Sequence, residues 1–147
     1  FEVQALLRPW SGYQVAANYS HIRTELVSPD NRIRNGGPIT GRPRANGSLF
    51  HKYTFGSGAF QGFSLNQAVT WVDGKRPDSI SGATGQVTHY MPGYVRLDFG
   101  AGYSARAFGR PYTLTVSVRN AANRKIMEGL QSKGDLRSYR VGLSTRY

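Results

Sequence analysis

Tyr94-Val95-Arg96-Leu97-Asp98-Phe99-Gly100-Ala101-Gly102-Tyr103-Ser104-Ala105 changes polarity at every step. Val95, Leu97, Phe99, Ala101, Tyr103 and Ala105 fall on one side. Arg96, Asp98, Gly100, Gly102 and Ser104 fall on the other, with Tyr94. A β-strand sends successive side chains to opposite faces, so this stretch reads as a strand with one apolar and one polar face. The same order recurs downstream. Tyr112, Leu114, Val116 and Val118 alternate with Thr113, Thr115, Ser117 and Arg119, and Tyr139, Val141, Leu143, Thr145 and Tyr147 with Ser138, Arg140, Gly142, Ser144 and Arg146. Across the three segments 14 of 15 positions on one face are apolar against 1 of 15 on the other, which selects half-buried strands.

Four earlier segments follow the same pattern with more noise, over residues 1–8, 13–25, 44–56 and 61–73. Seven strands are expected in all, in an antiparallel up-and-down meander. Their connections alternate in length: short turns at 9–12, 57–59 and 106–110, long loops at 26–43, 74–92 and 121–136. Short turns at one end and long loops at the other are the layout of an outer-membrane β-barrel, whose turns are periplasmic and whose loops are extracellular. The long loops carry turn-forming runs such as Pro29-Asp30-Asn31 and Asn35-Gly36-Gly37-Pro38. The hairpins recur at a regular spacing, but no shared residue pattern accompanies it, so a propeller or solenoid repeat is not indicated.

Composition agrees. Gly (18), Tyr (9) and Phe (7) are abundant, a mixture suited to strands and tight turns. No apolar run approaches the roughly 18 residues of a transmembrane helix, but a spanning strand needs only about 9–11 residues and alternates in polarity. Cysteine is absent, which removes disulfides and thiolate metal sites. Net charge is +11, yet the basic residues are scattered singly and no cluster exceeds the pairs Lys75-Arg76 and Arg124-Lys125. That distribution argues against a nucleic-acid surface, which concentrates its charge.

Aromatic placement points to a membrane, because Trp and Tyr favour the headgroup level. Trp10, Tyr13, Phe55, Phe60, Phe63, Tyr103, Phe108, Tyr112 and Tyr147 gather at the short-turn end if the hairpins lie side by side, while Trp71, Tyr90, Tyr94 and Tyr139 lie near the long loops.

Met91-Pro92-Gly93-Tyr94, opening the alternating strand, resembles the leucine-proline-glycine-tyrosine segment at the third strand from the end of TonB-dependent receptors. Val118-Arg119-Asn120-Ala121-Ala122-Asn123-Arg124-Lys125-Ile126 is similar to the segment with which the next strand closes in that family, although Ala121, Ala122 and Ile126 stand where larger or aromatic residues are usual. Pro43-Arg44-Ala45-Asn46 and the following Leu49 to Phe55 resemble the family's strand after a proline-arginine turn. The alternating row Tyr139, Val141, Leu143, Thr145 and Tyr147 resembles the terminal signal read by the barrel-assembly machinery.

The resemblance implies the C-terminal barrel segment of a siderophore-receptor type protein in the outer membrane of a gram-negative bacterium. Residues 1–147 are then the C-terminal part of the barrel, with Tyr147 a true end and Phe1 an arbitrary beginning; the plug domain, the earlier strands and the region that meets TonB lie outside. Seven strands leave two unpaired edges, so the remainder of the barrel and outer-membrane lipid are expected partners. The implied function is energy-coupled uptake of a scarce nutrient such as a ferric siderophore. Arg96, Asp98, Arg119, Arg140 and Arg146 are expected to face the lumen, resembling residues that hold the plug. Arg32, Arg34, Arg76, Tyr90 and Arg137 are loop candidates for contact with an anionic substrate, since Arg offers paired donors to carboxylates.

No enzyme is indicated. His21, His51 and His89 lack the spacing of a metal site and are expected at strand ends or in loops, there is no Gly-x-Ser-x-Gly elbow, and Gly56-Ser57-Gly58 is no phosphate loop. No cofactor or metal is called for. Two other classes are open: a passive porin or smaller outer-membrane barrel, which has no plug upstream, and a soluble basic β-domain binding nucleic acid, which needs no detergent.

Overall fold

The computed structural model describes residues 1–25, 27, 41–75, 90–128, 133–134 and 136–145. Among these, seven strands form a single antiparallel sheet in sequence order: β1 (Glu2–Leu7), β2 (Tyr13–His21), β3 (Ala45–Thr54), β4 (Phe63–Val72), β5 (Tyr94–Ala107), β6 (Arg110–Arg119) and β7 (Ser138–Thr145). Only a one-turn 3-10 helix, Gly58–Phe60, interrupts the meander. The expected order and number of strands hold. Most boundaries differ by one or two residues, and β2 differs by four. β2 stops at His21 and not at 25, because its partner β3 begins opposite it at Ala45. The β5–β6 turn tightens to Phe108 and Gly109, extending both strands. Both turn residues have positive φ, 51° and 74°, as the two-residue turn matched to strand twist requires. Pro111 is thereby drawn into β6, one residue before the described pairing with β7 begins at Tyr112.

Register sorts the side chains. Tyr13, Tyr53, Leu65, Ala101, Val116 and Val141 stand in one row across β2 to β7, and Ala17, Leu49, Val69 and Leu97 in a second. All belong to the apolar face. On the other face Ser48 meets Thr70, Thr70 meets Arg96, and Ser117 meets Arg140. On the apolar face a close approach is built at Gly47, directly under the Trp71 indole; a Cβ there would fall 2.2 Å from the ring.

Among the described residues no second layer covers either face. The described residues bury three apolar side chains, Ala45, Met91 and Ile126. All three lie at or beyond the long-loop end, and the middle of the sheet has no core. Leu143 is 72% exposed and Leu65 54%. A soluble domain of this size would cover such a face, since burying apolar surface is the dominant favourable term in folding. Lipid does so for a barrel.

The rows also run obliquely. Tyr13 is next to the first short turn, whereas Ala101 in the same row lies seven residues before Phe108 in the third. Strands staggered in this way are inclined to the plane of their turns, as closure into a barrel requires.

Candidate functional site

The two ends of the sheet differ in chemistry. At the short-turn end the expected aromatic belt is continuous: Trp10 stacks on Tyr13 at 4.6 Å, and contacts continue through Tyr53, Phe55, Phe60 and Phe63 to Tyr103, 4.5 Å from Phe63. Tyr53 completes the belt and was not among its expected members. Phe108 stands apart, 97% exposed at the turn tip, and Tyr147 lies outside the described residues.

At the long-loop end polar groups do the holding. Asn120, just past β6, is fully buried. Its backbone N–H donates to Asp98 Oδ1 at 2.8 Å, its Nδ2 donates to the Arg124 carbonyl at 2.8 Å, and its Oδ1 accepts the Arg124 N–H at 3.0 Å. A buried amide is tolerated only when its donors and acceptors are met, and here they are met by the turn it encloses. Asn120 and Asn123 both take φ near +50°, a conformation Asn adopts more readily than other side-chain-bearing residues. Asn123 Oδ1 accepts the Arg137 N–H at 3.1 Å, tying the start of the β6–β7 loop to its return. Asp98 also accepts from Arg96 Nε at 3.0 Å. Lys75, beyond β4, donates to the Glu128 carbonyl and so joins two loops.

This latch holds the mouth of a cleft of about 580 Å³ on the polar face, lined by Asp98, Ser117, Arg119, Leu136, Arg137 and Arg140 among others. Register places Arg96, Asp98, Arg119 and Arg140 on the polar face, and Asp98, Arg119, Arg137 and Arg140 share the cleft. Tyr90 does not join them; its hydroxyl packs against Gly74. Arg32, Arg34, Arg76 and Arg146 lie outside the described residues. Lys75, Arg124, Lys125 and Lys133 also belong to this end, where the described acids are Glu2, Glu25, Asp73, Asp98 and Glu128. The cleft therefore presents guanidinium donors suited to an anion.

Two residues escaped the sequence reading. Asn120 stands in the sequence only as part of the segment after β6, and the signal that finds it is the spacing of two asparagines, Asn120 and Asn123, on a tight turn. His51, expected at a strand end or in a loop, lies within β3 on the apolar face, with Nε2 3.0 Å from Gln67 Oε1. On β7 the row Tyr139, Val141, Leu143 and Thr145 points to the apolar face, opposite Val118, Val116, Leu114 and Tyr112.

Comparison with known proteins matches this architecture. A family model described as TonB dependent receptor-like, beta-barrel, matches residues 1–121. The chain is 25% identical over 120 residues to the ferrioxamine B receptor of Salmonella typhimurium, covering 81% of this chain and 16% of that protein. Its fold is similar to BauA, the ferric preacinetobactin receptor from Acinetobacter baumannii, with a TM-score of 0.77 at 18% identity over 97% of this chain and 21% of that one. It is likewise similar to P. aeruginosa FpvA in a complex with a heterologous pyoverdine and iron, with a TM-score of 0.72 at 19% identity over 97% of this chain and 18% of that one. The chain thus spans about a fifth or less of the proteins it resembles. With a matching family model over most of its length and a sheet built for lipid on one face, the chain belongs to the TonB-dependent receptor β-barrel family and forms a segment of a gram-negative outer-membrane barrel.

Proposed function

We propose that the complete protein imports a ferric siderophore across the outer membrane in a TonB-coupled cycle, and that this chain contributes seven adjacent barrel strands toward its C-terminal end. The observation that carries this reading is the family match over residues 1–121, a family of receptors and not of enzymes. The relatives support the substrate class, since the similar proteins are named as receptors for ferrioxamine B and ferric preacinetobactin.

The polar face works toward the same end. Basic groups at the long-loop mouth raise the local concentration of an anionic complex, an effect that weakens with salt. Arg137, with Arg32, Arg34, Arg76 and Tyr90 as further loop candidates, meets the substrate. Arg96, Asp98, Arg119, Arg140 and Arg146 hold a plug domain supplied by the rest of the polypeptide. The outward row Tyr139, Val141, Leu143, Thr145 and Tyr147 serves the barrel-assembly machinery.

The test is uptake of radioactive iron, presented as a panel of ferric siderophores, by cells with the gene deleted and restored. Expected is loss of uptake for one siderophore class on deletion, with restored uptake that needs both TonB and an energised inner membrane. Unchanged iron uptake would overturn the reading. Entry of small solutes without TonB would replace it with the passive porin.

A further inference from the structure

The apolar face carries one polar pair that lipid contact alone does not explain. His51 on β3 and Gln67 on β4 face each other in register and share the 3.0 Å hydrogen bond. With Gln67 Oε1 as acceptor, His51 Nε2 carries the proton, which leaves His51 Nδ1 and the Gln67 amide N–H groups for a third party. Polar groups at hydrocarbon depth are costly unless met, and their presence marks a site. The pair lies one pleat inward of the aromatic belt: the His51 ring is 6.0 Å from that of Tyr13, and Tyr53 is the next outward residue on its strand.

A groove of about 590 Å³ opens beside the pair, a size suited to one small ligand. Tyr13, Tyr53, Leu65, Phe99, Ala101 and Val116 line it with His51 and Gln67. Ala101, between Leu65 and Val116 in register, is the small residue of the row. Because the rows run obliquely to the turns, the groove descends from the belt at Tyr13 and Tyr53 into the apolar band at Ala101 and Val116. One end carries the tyrosine rings and the polar pair. The other is apolar.

We propose that this groove holds a single diacyl phospholipid from the leaflet on the short-turn side. Its ester carbonyls accept hydrogen bonds from the Gln67 amide, which His51 orients, and one acyl chain lies along Leu65, Ala101 and Val116. The groove is continuous with the face that already meets the bilayer, and its sequence of polar and apolar groups matches a lipid read from glycerol to chain end. Gln67 supplies donors where the lipid's ester groups have only acceptors.

The experiment uses the full-length receptor in vesicles of phosphatidylethanolamine and phosphatidylglycerol, with a small share of phosphatidylethanolamine bearing a diazirine on one acyl chain. After illumination, crosslinked peptides are located by mass spectrometry. The expected crosslinks concentrate within residues 95–101 and 114–118. They fall about five- to tenfold in the double variant His51→Leu with Gln67→Leu, the loss of one or two net hydrogen bonds. They fall similarly in Ala101→Trp, which fills the groove and keeps the pair. Ala101→Leu is a milder intrusion that gives the same reading if the tryptophan variant fails to fold, and folding is checked by heat-modifiable migration. Crosslinks spread evenly around the barrel, or unchanged in the folded variants, would overturn the proposal by making this lipid ordinary solvent. So would a benzophenone at Leu65 that captures a polypeptide in the native membrane, since the occupant is then a protein.

Discussion

The short-turn end and the long-loop end of this sheet are held by opposite means. At the short turns, seven aromatic rings from Trp10 to Tyr103 touch in series. At the long loops, Asn120 is sealed in a ring of hydrogen bonds, and Met91 and Ile126 are the most buried apolar side chains among the described residues. The first end is anchored by what surrounds it, because rings of this kind gain most at a lipid–water boundary. The second end faces water and must supply its own interior. A barrel segment therefore keeps its internal polar network where it has to present a shaped surface.

Both ends depend on the band between them, so the harshest test falls there. Leu97→Arg sets a charge on the lipid face and is expected to cost about 2–4 kcal/mol, whereas Thr70→Arg on the polar face costs little. Urea titration of the full-length receptor folded into vesicles measures both, and equal effects would erase the distinction between faces. Next in size is the latch. Asn120→Ala removes two side-chain hydrogen bonds and leaves their partners inside, for an expected loss of about 2 kcal/mol. That loss is confined to the long-loop end: proteolysis within residues 120–137 rises while the urea midpoint of the barrel barely moves. A smaller effect is expected for Tyr103→Ala, which parts the belt from Phe63 and costs about 1 kcal/mol beyond lost area. It is larger in vesicles than in short-chain detergent, whose thin and mobile headgroup shell offers the ring a weaker boundary. The smallest change should be a gain. Phe108 holds φ at 51° at the turn tip, so Phe108→Asn is expected to add about 0.5–1 kcal/mol, read as slower unfolding of the β5–β6 hairpin by hydrogen exchange.

The contrast between the ends also explains what the sequence discloses. Strands were legible because a one-layer sheet between lipid and lumen imposes period two without interruption, as Tyr94 to Ala105 shows. β2 was overextended because residues 22–25 carry no sign of where a partner strand ends. The belt was legible as a level, but Tyr53 joins it only through register with Tyr13. The latch was hidden. Asp98 on β5 and Asn120 just past β6 are 22 residues apart, and nothing local says that one caps the other. His51 was misplaced for a related reason: its partner Gln67 is 16 residues away, so a polar residue on an apolar face looked like a strand end.

The central claim is that β5 runs through a bilayer with one face in lipid and the other in an aqueous lumen. The chain has no cysteine, so single cysteines placed in turn at positions 95 to 104 give an unambiguous readout once any cysteine elsewhere in the full-length protein is replaced. A membrane-impermeant maleimide applied to cells carrying the receptor with its plug domain deleted should label positions 96, 98, 100, 102 and 104 with a two-residue period and spare 95, 97, 99, 101 and 103. Uniform labelling, or protection of both sets, would contradict the account.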